Sequence, residues 1–248
     1  MALDLEIRDL QTADELEACL ELQKETWGAS FSELVPVTML RLTQRIGGVA
    51  AGAFDDNGRL IGFVFGLPGV EDGRPVHWSD MLAVRAGIQN RGTGEALKRY
   101  QREVLLARGV TRVYWTFDPL ESRNAYLNFA RLGATSSEYR RDLYGDTASP
   151  LHAGIGTDRL IVTWDIGSDR VGRALGGAPP KEPGDHLRIE IPTAIQKLKA
   201  DSPDQARDWR VRTRAAFEQA FGDGYVVTGF LRGDLTGTYV LERSALAS

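Results

Sequence analysis

The chain has 248 residues, 42% hydrophobic and 26% charged, with 30 Lys+Arg against 34 Asp+Glu and a formal net charge of −4. This excludes intrinsic disorder and argues against a dedicated nucleic-acid binder, which carries a basic excess. The single cysteine, Cys19, excludes an internal disulfide and any multi-cysteine metal site.

In chain order, residues 3–7 alternate Leu3, Leu5 and Ile7 with Asp4 and Glu6, the period of a strand. No signal-peptide core stands in residues 1–10. Thr12 and Glu15 have capping-box spacing and open a helix that continues through Leu16, Leu20 and Trp27. A second helix is predicted over 36–45, broken by Gly47-Gly48. Residues 49–54 and 59–65 flank Asp55-Asp56-Asn57-Gly58, a hairpin signal. The longest apolar stretch, 60–70, is interrupted by Gly62, Gly66, Pro68 and Gly69 and is too short to cross a bilayer. A cytoplasmic protein with no membrane partner is expected.

Further strands are predicted at 76–84, 112–117, 134–143 and 159–166. Helices are predicted at 94–108, with Leu97, Tyr100, Val104 and Leu105 on one face, and at 122–132, ending at Gly133. Residues 168–186 are rich in Gly and Pro and read as a linker. Beyond them, 187–248 spells strand, helix, helix, strand, strand. That repeats the order of the first third and suggests a degenerate half-copy. The predicted domains are therefore 1–167, a linker at 168–186, and a C-terminal extension at 187–248.

The most informative stretch joins the strand ending Leu82-Ala83-Val84 to the helix after Gly94. Between them lies Gln89-Asn90-Arg91-Gly92-Thr93-Gly94. Glycines let a ligand approach the backbone, and the unbonded N–H groups of a helix start favour a diphosphate. The third glycine of a dinucleotide fingerprint is replaced by Leu97, and the Lys-Ser/Thr of a P-loop by Thr93-Gly94, so both of those motifs fail. What remains is Gln-x-x-Gly-x-Gly.

That motif, between strand and amphipathic helix, resembles the acyl-CoA pyrophosphate loop of the GNAT superfamily of N-acyltransferases. The element order over 3–166 agrees with it. The resemblance implies an α/β (α+β) fold: a mixed, mostly antiparallel sheet with splayed fourth and fifth strands, flanked by helices. It implies acyl-CoA as co-substrate, no metal, and a small-molecule amine as partner, with a second copy of the chain at most. The runs 115–120, 123–128 and 156–159 resemble a predicted-acetyltransferase branch whose members occur beside N-succinylamino acid racemases. That hints at succinyl-CoA as well as acetyl-CoA, and at an amino-acid acceptor. The resemblance assigns Leu82, Ala83, Val84, Gln89, Asn90, Arg91, Gly92, Thr93, Gly94, Asn124 and Phe129 to the cofactor.

One position departs from the pattern. Many members carry a thiolate-protonating Tyr four residues before the glycine that ends the helix after the fifth strand; here Phe129 stands there, and Tyr126 is the substitute. Asp80 is the candidate base, because residues 78, 80 and 82 share a face on an unbroken strand. An amine of pKa about 10.4 is neutral in roughly one molecule in 2,500 at pH 7, against about one in ten for an α-amine near 8, so a side-chain amine needs the base more. His77 reads as structural. His152 and Arg159 are candidate substrate ligands, Arg159 for a carboxylate. Lys98, Arg99 and Arg102 are candidates for the CoA 3′-phosphate, with a solvated helix face as the plain alternative. A non-catalytic acyl-CoA-binding or regulatory module is the alternative function.

Overall fold

Thr12 and Glu15 form the expected capping box: Thr12 Oγ1 accepts from the Glu15 N–H at 3.2 Å, and the Glu15 carboxylate accepts from the Thr12 N–H at 3.2 Å. This starts α1 (Ala13–Trp27) after β1 (Glu6–Asp9). The structure, a computed structural model, describes residues 5–29, 31–89, 91–145, 154–178 and 186–244. Its elements continue with α2 (Val37–Arg45), β2 (Val49–Phe54), β3 (Leu60–Glu71), β4 (Arg74–Val84), α3 (Thr93–Ala107) and β5 (Arg112–Phe117). Then come α4 (Ser122–Ala125), a π-helical segment (Tyr126–Arg131), β6 (Thr135–Arg140), β7 (Arg159–Asp165) and α5 (Asp169–Leu175). The chain closes with β8 (His186–Pro192), α6 (Ile195–Asp201), α7 (Pro203–Gly222), β9 (Tyr225–Leu231) and β10 (Thr236–Arg243).

The chain divides into two compact units inside β5, between Tyr114 and Trp115. In the first unit the strand order is β1-β2-β3-β4-β5. The pairs β1–β2, β2–β3 and β3–β4 are antiparallel, and β4 runs parallel to β5 over Val76–Trp78 against Arg112–Tyr114. Phe63 and Phe65 face a core with Leu16, Cys19, Leu22 and Leu40 of α1 and α2. Gly62, one residue out of phase, faces Leu97 of α3. Helices therefore cover both faces of these strands. The Asp55 hairpin forms as expected, its Oδ1 accepting from the Asn57 and Arg59 N–H groups at 3.0 and 2.9 Å.

Strand β4 contains a bulge at Ser79–Asp80, where the family resemblance implies a kink in this strand but residue periodicity gives no sign of one. Phe65 pairs with Met81, and Leu67 pairs with Trp78. Two residues of β4, Ser79 and Asp80, thus stand against one of β3, Gly66. Trp78 and Met81 share a face, so Leu82 lies on the other. The expected common face for 78, 80 and 82 does not hold, because the extra residue breaks the alternation.

In the second unit the strand order is β5-β7-β6-β9-β10-β8. Its aromatic core packs Phe129 at a tilt against Phe117, and sets Phe129 and Phe217 edge-on to Tyr239 and Trp115 edge-on to Trp164. The Tyr239 hydroxyl donates to the Pro119 carbonyl at 2.7 Å. The helix predicted at 122–132 winds as π after its first turn, with the Leu132 N–H donating to the Leu127 carbonyl at 2.9 Å. It ends at Gly133 (φ +69°), where a Cβ would meet Ala174 Cβ at 2.8 Å. The stretch read as a linker contains α5, capped by Ser168 Oγ, which accepts from the Val171 N–H at 3.3 Å. The final segment has the element order of the first third but not its pairing. There β1 pairs with β2, whereas β8 pairs with β10, the last strand.

Candidate active site

The turn after β4 is anchored at its root. The Arg85 N–H donates to the Ile61 carbonyl and its Nε to the Leu60 carbonyl, both at 2.9 Å, and its Nη1 pairs with Glu25 of α1. Gln89 folds back, its Nε2 donating to the Val84 carbonyl at 3.1 Å. Gly92 is the N-cap of α3, with φ +86° and no side-chain cap, and its carbonyl accepts from the Ala96 N–H at 2.9 Å. The first helical N–H groups have no intrahelical carbonyl to bond. A Cβ on Gly92 would meet nothing within 4 Å, so the backbone conformation alone calls for glycine and the space beside it is open. Thr93 is 2% exposed, and its hydroxyl has no hydrogen-bond partner among the described residues. Glu95 is held by Arg99 at 2.8 Å, which offsets its charge near the helix start. Arg91 is exposed, and Asn90 lies outside the described residues.

These features place an uncapped helix start, with open space beside Gly92, at the end of β4. Leu82 and Val84 are half-buried and Ala83 is buried. Among the described residues the pairing of β4 with β5 ends at Trp78–Tyr114, while β4 runs on to Val84.

Asp80 is exposed, at the bulge. Crowding by its surroundings raises its carboxyl above the ordinary carboxylate range, against a lowering hydrogen bond from Trp78. His77 is fully buried and structural: Gln101 Nε2 donates to its Nε2 at 3.1 Å. Burial, then the charges of Lys98 and Arg108, press His77 down to about 3, so it stays neutral. Lys98 is 2% exposed and turned inward, which removes it as a phosphate ligand. Its Nζ donates to Ser79 Oγ at 2.6 Å and to Gln101 Oε1 at 3.2 Å, and burial lowers it to about 7. The buried stripe of α3 is Thr93, Leu97, Lys98, Gln101 and Leu105. Sequence reading missed Lys98 and Gln101 as core members, although 98, 101 and 105 have core-facing spacing.

The remaining candidates sit in the second unit. Asn124 is exposed. Phe129 is 2% exposed and enclosed by Phe117 and Tyr239, so it is a core residue rather than a lining for a cofactor. The Tyr126 ring lies under the Arg232 guanidinium at 3.6 Å. Arg159 is 4% exposed; it donates to the Asp158 carbonyl at 2.8 Å and lies 5.1 Å from the Tyr144 ring centre. It is directed into the protein, not presented to a substrate carboxylate. His152 lies outside the described residues.

Two buried ion pairs went unread in the sequence. Arg210 meets Asp118 at 2.6 Å, and Arg214 grips Asp158 at 2.7 Å through both Nε and Nη2. Burial alone would raise the Asp158 carboxyl, but donation from Arg214 and from the Tyr139 hydroxyl outweighs it and holds the group below the usual range. The Arg partners lie some fifty residues or more along the chain from their acids, a separation that leaves no local signal.

Among the described residues no cluster of His, Cys, Asp or Glu is arranged to hold a metal, and no helix is long and apolar enough to cross a membrane. No curated protein matches the chain. Among solved structures, the ribosomal-protein-S18-alanine N-acetyltransferase of Escherichia coli is similar at 20% identity and TM-score 0.51, covering 66% of this chain and 95% of that one. Naa50 of Arabidopsis thaliana, solved with a CoA bisubstrate analogue, gives 12% and 0.51, covering 65% and 98%. Aminoglycoside 6′-acetyltransferase type Ii gives 16% and 0.51, covering 65% and 97%. These likenesses show the fold. Residues 16–134 match the model of the acetyltransferase (GNAT) family, and they carry the strand, glycine turn and open helix start described above. Residues 16–134 are therefore a GNAT-family acetyltransferase domain.

Proposed function

We propose that the protein transfers an acyl group, acetyl or succinyl, from acyl-CoA to the amine of a small metabolite such as an amino acid. The observation that carries this reading is the start of α3. There, uncapped N–H groups, the buried unpartnered Thr93 hydroxyl and the open space beside Gly92 converge at the end of β4. A diphosphate answers the first and the last: in the open space beside Gly92 it accepts from the N–H groups, and its charge suits the positive end of the helix.

The amine attacks the thioester carbonyl directly, a tetrahedral oxyanion forms, and the C–S bond breaks to release CoA thiolate. Positioning supplies the largest share, about 7–11 kcal/mol in well-oriented cases. One backbone N–H of β4, near Leu82 or Ala83, holds the developing oxyanion. Asp80, exposed at the bulge with its carboxyl raised, takes a proton from the substrate ammonium through a water, freeing the neutral amine that attacks. Thiolate departure needs no acid, because a thiol near the cysteine reference of about 8.5 leaves tolerably at neutral pH. That suits a chain in which Phe129 is core and Tyr126 is covered by Arg232.

The test is thiol release from acetyl-CoA and succinyl-CoA against a panel of D- and L-amino acids and other amines. Acyl-CoA-dependent release with one amine class supports the reading. CoA binding without release across the panel supports a non-catalytic binding module instead.

A further inference from the structure

Beneath β4, on the face covered by α3, lies a polar chain with no counterpart in the mechanism so far. Lys98 Nζ donates to Ser79 Oγ at 2.6 Å and to Gln101 Oε1 at 3.2 Å, and Gln101 Nε2 donates to His77 Nε2 at 3.1 Å. All four residues are 3% exposed or less. Ser79 is one of the two β4 residues that oppose Gly66. Gly66 is itself required there: a Cβ would fall 2.2 Å from His77 Nε2 and 2.5 Å from the Trp78 carbonyl oxygen. The bulge is thus held from both sides, by a missing side chain on β3 and by an ammonium reaching up from α3.

We propose that Lys98 is a positioning residue. By fixing Ser79 it locks the extra residue of β4, and this sets the phase in which the N–H groups beyond the bulge, at residues 81–84, meet the thioester carbonyl. The inference rests on the acyl-transfer reading and assigns its oxyanion geometry to a buried side chain that touches no reacting atom. Strand β4 alone does not fix this phase. A slip by one residue at a bulge exchanges the N–H groups facing one edge for those facing the other. The same lysine lies on α3, whose start forms the anion site. One rigid helix therefore sets both the diphosphate and, through Ser79, the reacting end.

The experiment compares wild type, Lys98→Met, Ser79→Ala and the double variant Lys98→Met/Ser79→Ala. The readouts are melting temperature, CoA affinity by calorimetry, kcat and KM for acyl-CoA, and amide hydrogen exchange across 79–84. Each single variant leaves a buried polar group without its partner and lowers stability; removing both partners recovers much of that loss. The proposal expects kcat to fall about 100-fold in the singles, the scale of a 1 Å misplacement, with CoA affinity within about threefold of wild type. It also expects kcat to stay low in the double variant, whose melting temperature recovers, and exchange to quicken at 79–84 in all three. Recovery of kcat together with melting temperature makes the contact merely structural and overturns the proposal. So does unchanged exchange at 79–84 in a folded Lys98→Met protein. If wild type itself releases no thiol, the acyl-transfer reading falls; the exchange readout still decides whether Lys98 holds the bulge.

Discussion

Replacing Gly92 separates the charge of the proposed ligand from the strain of the backbone. At φ +86° a residue with a Cβ is strained by about 1–2 kcal/mol, less for Asn and Asp, which tolerate the left-handed region. Nothing lies within 4 Å of the new Cβ, so no protein clash adds to this. Gly92→Ala therefore lowers the melting temperature by about 2–8 °C, taking 2–4 °C per kcal/mol for a chain of this size. Gly92→Asn and Gly92→Asp have similar shape and strain but differ by one charge. A carboxylate about 4–5 Å from a bound diphosphate costs on the order of 3–4 kcal/mol near a protein surface, before screening. CoA affinity should thus fall at least about 100-fold more in the Asp than in the Asn variant, and the gap should narrow as salt rises. Titration calorimetry of the three variants at two ionic strengths measures this. Equal losses for Asn and Asp, or an Asp variant that binds CoA like wild type, would refute an anion at this helix start.

Asp80→Asn should lower kcat by about 100- to 10,000-fold, the usual span for a lost general base. Because the Asp80 carboxyl is raised, wild-type activity should fall as pH drops through a value above the ordinary carboxylate range, and the Asn variant should lack that limb in a kcat/KM profile. Asp158→Asn should destabilise by about 3 kcal/mol, the low end for a broken buried pair because Arg214 is one quarter exposed. Urea melts would read this. The Asp158 carboxyl is lowered on folding, so its contribution is present above the ordinary carboxylate value and disappears as pH falls through the lowered one; the variant should lack that part of the acid loss. Gly66→Ala should cost about 1–3 kcal/mol or more, since its Cβ would meet a buried ring rather than a flexible chain end. Thermal melts that match wild type would show that the bulge tolerates a side chain.

Local chemistry made much of the fold legible. The Thr12–Glu15 box, the Asp55 turn and the terminating Gly133 each act within a few residues, and each formed where its signal stood. The glycine turn into α3 was legible for the same reason, since its glycines and the helix after it are neighbours in the chain. The β4 bulge was not, because its cause is divided between Ser79 on one strand, Gly66 on another and Lys98 on a helix. The π-helical winding of 126–131 was hidden too: the sequence there satisfies a helical pattern, and only the count of residues per turn differs. Counting back from Gly133 to a catalytic phenol assumed ordinary turns and arrived at Phe129, which serves the aromatic core. Arg159 looked available because Arg is usually exposed, yet the adjacent carbonyl and the Tyr144 ring hold it inside.

The place of β10 between β9 and β8 has a consequence for synthesis. A ribosome makes β8 well before the strand that receives it, so β8 must wait, an edge with no neighbour, until residues 236–243 emerge. A message truncated just ahead of Thr236 would not merely trim the rim of the sheet; it would strand β8 and bare one side of β9. Completion of this part of the sheet is thereby concentrated in residues 236–243, which decide whether two earlier segments find their places.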